Sequence, residues 1–167
     1  MMSVLEYAND VNKTVAEILR KCQNGEYTEF EMQKWQDEAL CKLSENSIAL
    51  NLLFNANCYG KDSQSRAFFH KIGNTIDFIK REYGLNSVTT TSPLIAKFIK
   101  NNFEDIEVRA SVNMEIGTIP AMEYVAEYFD SFYMKREYNR DFDRIKMLKG
   151  WQEKVVRNIR IYRVFIF

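Results

Sequence analysis

The chain has 167 residues, a hydrophobic fraction of 46%, and 23 acidic against 23 basic side chains. That is the length of one domain with enough apolar content for a core. A formal net charge of zero argues against a general nucleic-acid surface, DNA included, or an anionic-membrane surface, because those call for a basic excess. The charges are mixed along the chain, which suits a solvated globular surface. Aromatic residues make up 14% and there are only two prolines, a composition that argues against disorder.

The three cysteines, Cys22, Cys41 and Cys58, are widely spaced and odd in number. They fit free thiols in an intracellular chain better than a disulfide scaffold. The N-terminus lacks a basic start followed by an apolar run, and no stretch approaches the roughly 20 apolar residues of a membrane span. A cytoplasmic location is the expectation.

Taken in order, Val4 to Lys21 has helical periodicity, with Val4, Leu5, Ala8, Val11, Val15, Ile18 and Leu19 on one face. Gly25 stops it. Thr28 and Glu31 form a capping box for a second helix to about Leu43, with Phe30, Trp35, Ala39, Leu40 and Leu43 as its apolar face. Ile48 to Phe54 is a nearly continuous apolar run, as expected of a strand buried on both faces in a parallel sheet. A polar loop, Asn55 to Gly60, follows. A helix from Asp62 or Ser63 to about Tyr83 comes next, with Gly84 as its C-terminal cap.

Ser87 to Thr91 is a short β-branched strand. Ser92-Pro93 opens a helix, with a hydroxyl N-cap and proline in the first turn. A strand at Glu107 to Asn113 precedes a helix opened by Thr118 and Pro120. A strand at Ser131 to Glu137 precedes a helix from about Asp141 to Lys154. The last stretch, Val155 to Phe167, alternates apolar residues with Arg157, Arg160 and Arg163, and reads as a fifth strand with a basic outer face or as an atypical tail.

From Ile48 onward strands and helices alternate. The expected class is therefore α/β with parallel strands, either an open doubly wound sheet or part of a (β/α)8 barrel. No Gly-rich phosphate loop follows any strand. The barrel is favoured on that ground. The organisation predicted is a helical segment over 1–46, a partial barrel over 47–154 and the atypical end over 155–167.

Reactive groups in parallel α/β folds lie at the C-terminal ends of strands. Here those ends carry Asn55, Asn57 and Cys58, then Thr90, Thr91 and Ser92. Next come Arg109, Ser111 and Asn113, then Lys135, Arg136, Glu137 and Tyr138. Strand periodicity puts Arg109, Ser111 and Asn113 on one face. Buried there they need partners, and Lys135, Arg136 and Glu137 on the next strand are candidates. A carboxylate between two cations stays ionised and is able to orient a water. An ion-pair layer inside a barrel is the competing description.

Other positions carry weaker signals. His70, the only histidine, falls mid-helix, far from the strand ends. With one histidine and no cysteine cluster, neither a zinc site nor a Ser-His-Asp triad is expected. Cys58 follows a strand end but has no evident base, so a small loop thiol describes it better than a nucleophile. Arg157, Arg160 and Arg163 fit a solubilising edge better than a phosphate site.

At Arg109-Ala110-Ser111-Val112-Asn113, and again at Lys135-Arg136-Glu137-Tyr138 with Asp141 and Asp143 after it, the chain resembles the collagenase-like peptidases, family U32. The segments LNLLFNANCYG and SVTTTSPLIAKFIK fit the two preceding strand–helix units of that family. The resemblance spans about Ile48 to Trp151. It implies a TIM-type barrel and peptide-bond hydrolysis or a related modifying activity. It also implies site roles for Ser111, Asn113, Arg136 and Glu137. Arg109, Lys135, Asn55, Asn57 and Thr91 are expected to contact substrate, a peptide or an RNA. Some relatives carry an iron–sulfur cluster on cysteines downstream of this segment. This chain has its cysteines upstream, so no cofactor is expected in it. The family's first strand is missing before the opening helices, and Val155–Phe167 departs from its continuation. A half-barrel is therefore expected, prone to self-association through exposed sheet edges and inactive alone. A non-catalytic RNA- or peptide-binding module and a truncated remnant without function are the alternatives.

Overall fold

The structure, a computed structural model, describes residues 29–154 and 160–162. The chain divides into two units, residues 1–49 and 50–167. In the first, helix α1 runs over Glu29–Glu45, with Ala39, Leu40 and Leu43 half-buried. Its end is closed by Asn46, whose side-chain amide donates to the Lys42 carbonyl at 2.7 Å. The helix expected over Val4–Lys21 and the hydroxyl cap expected at Thr28 lie outside the described residues.

The second unit alternates strands and helices. These are β1 (Leu50–Phe54), α2 (Arg66–Tyr83), β2 (Leu85–Thr90), α3 (Pro93–Asn102), β3 (Glu107–Ala110), α4 (Ile119–Val125), β4 (Ser131–Tyr133), α5 (Phe142–Lys154) and β5 (Arg160–Tyr162). Short 3-10 turns, Val112–Met114 and Arg136–Arg140, follow β3 and β4. All adjacent strands are parallel. They pair in chain order, β1-β2-β3-β4-β5. A doubly wound sheet reverses its strand order at a switch point, and this sheet does not. The fold is thus α/β with consecutive strand–helix units, a partial (β/α) barrel.

Local chemistry sets most of the helix boundaries. Ser65 caps α2, its hydroxyl accepting from Phe68 N at 3.2 Å. Gly84 ends that helix at φ 78, a left-handed conformation that costs glycine little. Ser92 caps α3 with Pro93 in its first turn, and Thr118 caps α4 with Pro120 likewise. Each hydroxyl satisfies a backbone N–H that the helix leaves unpaired.

Three expectations need correction. The third strand stops at Ala110 rather than Asn113, because the Ser111 hydroxyl accepts from Asn113 N at 3.2 Å and turns the chain. The fourth stops at Tyr133 rather than Glu137, and Arg136 and Glu137 open a 3-10 turn. The first strand is not buried on both faces. Leu53 is 54% exposed, since β1 is an edge of the sheet among the described residues.

Strand register separates two faces. One carries Val88, Val108, Ala110 and Phe132, all fully buried. With them are buried Ile72 and Ile76 of α2, Ile95 and Ile99 of α3, Met122 of α4 and Leu148 of α5. This is the hydrophobic core between sheet and helices. The opposite face carries Asn51, Ser87, Thr89, Glu107, Arg109, Ser131, Tyr133, Arg160 and Tyr162. In a barrel of this winding it is the interior.

Asp130, just before β4, ties β3 to α3 and β5. One carboxylate oxygen accepts from Val108 N at 2.8 Å and the other pairs with Lys100 of α3. Its carbonyl accepts from Arg160 N at 3.1 Å, so β3, β4 and β5 meet at this residue. Among the described residues no helix is long and apolar enough to cross a membrane.

Candidate functional site

The C-terminal ends of β1, β2 and β3 surround an open cleft of about 570 Å³. The loop after β1 supplies Asn57, Cys58 and Tyr59. The turn after β2 supplies Thr91 and Ser92, and α3 adds Leu94. The 3-10 turn after β3 supplies Asn113 and Met114, and Phe68 of α2 closes one side. Strand ends thus gather in space what lies far apart in sequence.

Hydrogen bonds hold the three loops to one another. Thr91 Oγ1 donates to the Ala56 carbonyl at 2.6 Å. Asn113 Nδ2 donates to the Asn55 carbonyl at 3.3 Å. Tyr59 donates its hydroxyl to the Phe54 carbonyl, and its ring meets that of Phe68 edge-on at 5.6 Å. Of the expected residues, Asn57, Thr91 and Asn113 line this cleft, and Asn55 braces it through its carbonyl. Ser111 is buried, and its hydroxyl serves the turn that presents Asn113. Cys58 is exposed and accepts from Gly60 N at 3.4 Å. Among the described residues no histidine or carboxylate lines the cleft beside it, so its thiol has no adjacent base there.

Arg109 does point to the polar face, but its partners differ from those expected. Its guanidinium donates to Glu107 at 2.7 Å and to the Tyr133 hydroxyl at 3.4 Å, and lies 4.9 Å from the centre of the Tyr162 ring. The Tyr162 hydroxyl donates to Glu107 at 3.2 Å, and Arg160 approaches the same carboxylate at 3.8 Å. An ion-pair layer is thus present on this face, but its members are Glu107, Tyr133, Arg160 and Tyr162 instead of Lys135, Arg136 and Glu137. Burial opposes ionisation of Glu107, but its hydrogen bonds, that from Arg109 foremost, together with the charge of Arg109 outweigh it and hold the carboxyl below its ordinary range. Burial likewise opposes the charge on Arg109, and Glu107 overrides it, raising the guanidinium further. A fixed pair of this kind favours structure over proton transfer at neutral pH.

Lys135, Arg136 and Glu137 form a separate group. Lys135 sits 3.2 Å from Glu137 and 3.6 Å from Glu115, so it ties the loop after β4 to the loop after β3. The hydrogen bond with Glu137, then the charge of Glu115, raises the lysine above its ordinary value. Arg136 and Glu137 are exposed. Among the described residues no hydrogen bond or ion pair connects them to Ser111 or Asn113.

Nearby, Arg144 stacks 4.2 Å over the Tyr138 ring, pairs with Asp141 at 3.3 Å and donates to the Gly117 carbonyl at 3.2 Å. The Asp141 carboxyl is lowered chiefly by accepting from the Arg144 backbone N–H.

His70 is exposed on α2, in a groove with Phe69, Gly73 and Phe98, away from the strand ends. Arg160 approaches Glu107 at 3.8 Å while its side chain stays mostly exposed. Arg157 and Arg163 lie outside the described residues. Among the described residues no three His, Cys, Asp or Glu side chains converge as metal ligands would.

Sequence reasoning missed Tyr59, Phe68, Leu94 and Met114 in the cleft, because apolar residues at helix starts and in loops look like core. It also missed Glu107 as the partner of Arg109. Two residues apart on a strand, they share a face, and that periodicity was a usable signal.

No protein-family model matches the sequence, and no curated protein matches it. The fold is similar to the solved structure of a U32 peptidase, with a TM-score of 0.63 and 13% identity over 75% of this chain. The match takes in 49% of the peptidase, so the chain spans about half its length. At this identity the likeness shows the fold alone: the chain shares the strand–helix architecture of that structure over the matched part.

Proposed function

We propose that this chain is a U32-peptidase-like half-barrel that binds a peptide at the ends of β1, β2 and β3 and does not cleave it alone. The observation that carries the reading is the cleft itself. Three successive strand ends build it, at the pole where barrels of this class place their sites. Its polar lining is neutral, made of carboxamides and hydroxyls. Such groups match the donors and acceptors of a peptide backbone.

The absence of any cation among the described residues of the lining favours peptide over RNA, which is held largely through phosphate contacts. The lack of turnover follows from Cys58 having no general base among the described residues beside it and from Glu137 sitting in a different, exposed cluster. In this reading Asn57, Thr91 and Asn113 contact the bound chain. Glu137, Arg136 and Lys135 act only in a longer protein, where further strands complete the interior.

The test is direct. Labelled neutral peptides are titrated into the purified chain while fluorescence anisotropy and mass spectrometry report binding and new termini. Saturable binding that Asn113→Ala weakens about tenfold, with no new termini, is expected. Failure of every peptide to bind would remove the reading. New termini that disappear with Cys58→Ser would replace it with a thiol peptidase.

A further inference from the structure

The strand-end cleft is lined by two kinds of side chain: Asn57, Cys58, Thr91 and Asn113 are polar, and Tyr59, Phe68, Leu94 and Met114 are largely apolar. Leu94 is 50% exposed although it opens α3 beside the buried Ile95 and Ala96. An exposed leucine alone means little. Here it lines the same cleft as Phe68, whose ring stacks edge-on with Tyr59 at 5.6 Å and with Phe69 at 5.5 Å. Those ring contacts hold Phe68 in place between Tyr59 and Phe69.

The polar lining is only partly used internally. Thr91 donates to Ala56 and Asn113 donates through Nδ2 to Asn55. The Asn113 Oδ1 acceptor and the Asn57 carboxamide make no hydrogen bond among the described residues and remain to meet a ligand. The described residues of the lining include no charged side chain. A charged group entering it loses water and gains no counter-ion, which is costly.

We infer that the cleft selects a neutral peptide segment bearing one large apolar side chain, seated on Tyr59, Phe68, Leu94 and Met114, and rejects a charged side chain there. This rests on the peptide-binding reading and adds a specificity to it. The backbone amides beside that side chain meet Asn57 and Asn113, while the apolar group displaces water from the leucine and the rings.

The experiment uses the full chain and five labelled peptides that differ at one central position: Phe, Leu, Ala, Asp or Lys. Anisotropy titrations should place Phe and Leu tightest, Ala about tenfold weaker, and Asp and Lys weaker still. Leu94→Asp is the decisive variant. Leu94 is exposed, and an acidic residue suits the first turn of a helix, so the fold is retained. This variant should bind the Phe peptide about tenfold more weakly and the Lys peptide about tenfold more tightly. Met114→Ala, in the loop after β3, should weaken Phe binding without helping Lys. Equal affinities across the five peptides, or a Phe preference untouched by either variant, would overturn the inference while leaving the peptide reading in place. No binding by any of the five would overturn both.

Discussion

The Glu107 carboxylate and the Arg109 guanidinium are paired at 2.7 Å along one strand, both side chains about four-fifths buried. They stand on the face of the sheet opposite the hydrophobic core. Tyr133 and Tyr162 reach them from β4 and β5. The pair therefore fastens three neighbouring strands through side chains, in addition to the backbone ladder.

Removing the charge should destabilise this layer. Glu107→Gln is expected to cost about 1–3 kcal/mol, because Arg109 is left partly buried without its counter-ion. The dependence on pH has a definite sign. The carboxyl is lowered from its ordinary value of 4.5, so its stabilisation is fully present above that value. It is lost as pH falls from about there through the lowered folded value. Urea melts between pH 3 and 7 should show a steeper acid loss in the parent than in Glu107→Gln. Equal slopes would contradict the assignment.

A second layer member is neutral. Asn51 Oδ1 accepts from Ser87 at 3.1 Å and from Thr89 at 3.0 Å, both buried hydroxyls on β2. Asn51→Ala should cost about 1–3 kcal/mol by leaving two hydroxyls without their acceptor. Asn51→Asp keeps the acceptor and should cost less at neutral pH. Thermal denaturation of the two variants measures the difference, and a milder effect for alanine would refute the acceptor role.

Asp130 separates charge from hydrogen bonding. Its pair with Lys100 is about one-third exposed on each side, so the ion pair is worth little, about 0–1 kcal/mol. Its bond to Val108 N is part-buried. Asp130→Asn retains an acceptor and should be nearly silent. Asp130→Ala should cost about 1–2 kcal/mol and speed hydrogen exchange at the Val108 amide. Similar stabilities for the two variants would show that the backbone contact does not matter.

Gly117 faces Tyr138 across the loops after β3 and β4. A Cβ there would lie 2.7 Å from the Tyr138 ring and from its hydroxyl. Gly117→Ala should push the ring off the Arg144 guanidinium and cost about 1–2 kcal/mol. Tyr138→Ala in the same background should cancel most of that penalty, since the clash is gone. A double-mutant cycle without coupling would exclude this contact.

Much of the architecture is legible in the amino-acid sequence. Ser92-Pro93, Thr118 with Pro120, and Gly84 act through local chemistry, and each stands where its residue type placed it. The alternation of apolar runs with amphipathic segments is enough for a parallel α/β sheet, since buried strands and half-buried helices have different periods. The strand ends were misjudged at Ser111 and Lys135. At Ser111, extended chain and a capped turn begin with the same polar residues, and the hydrogen bond from Asn113 N to Ser111 distinguishes them; the turn after Lys135 has no side-chain cap.

The site depended on contacts between distant segments. Nothing local says that Thr91 holds Ala56, that Asn113 holds Asn55, or that Leu94 and Phe68 share a cleft with them. Local composition determined strands, helices, caps and the polar strand ends, because those follow from each residue and its near neighbours. Strand order, the partner of Arg109 and the division of the polar residues into a cleft, an interior layer and an exposed ion cluster came from tertiary packing. Register across the sheet, which no single segment contains, decides which side chains meet.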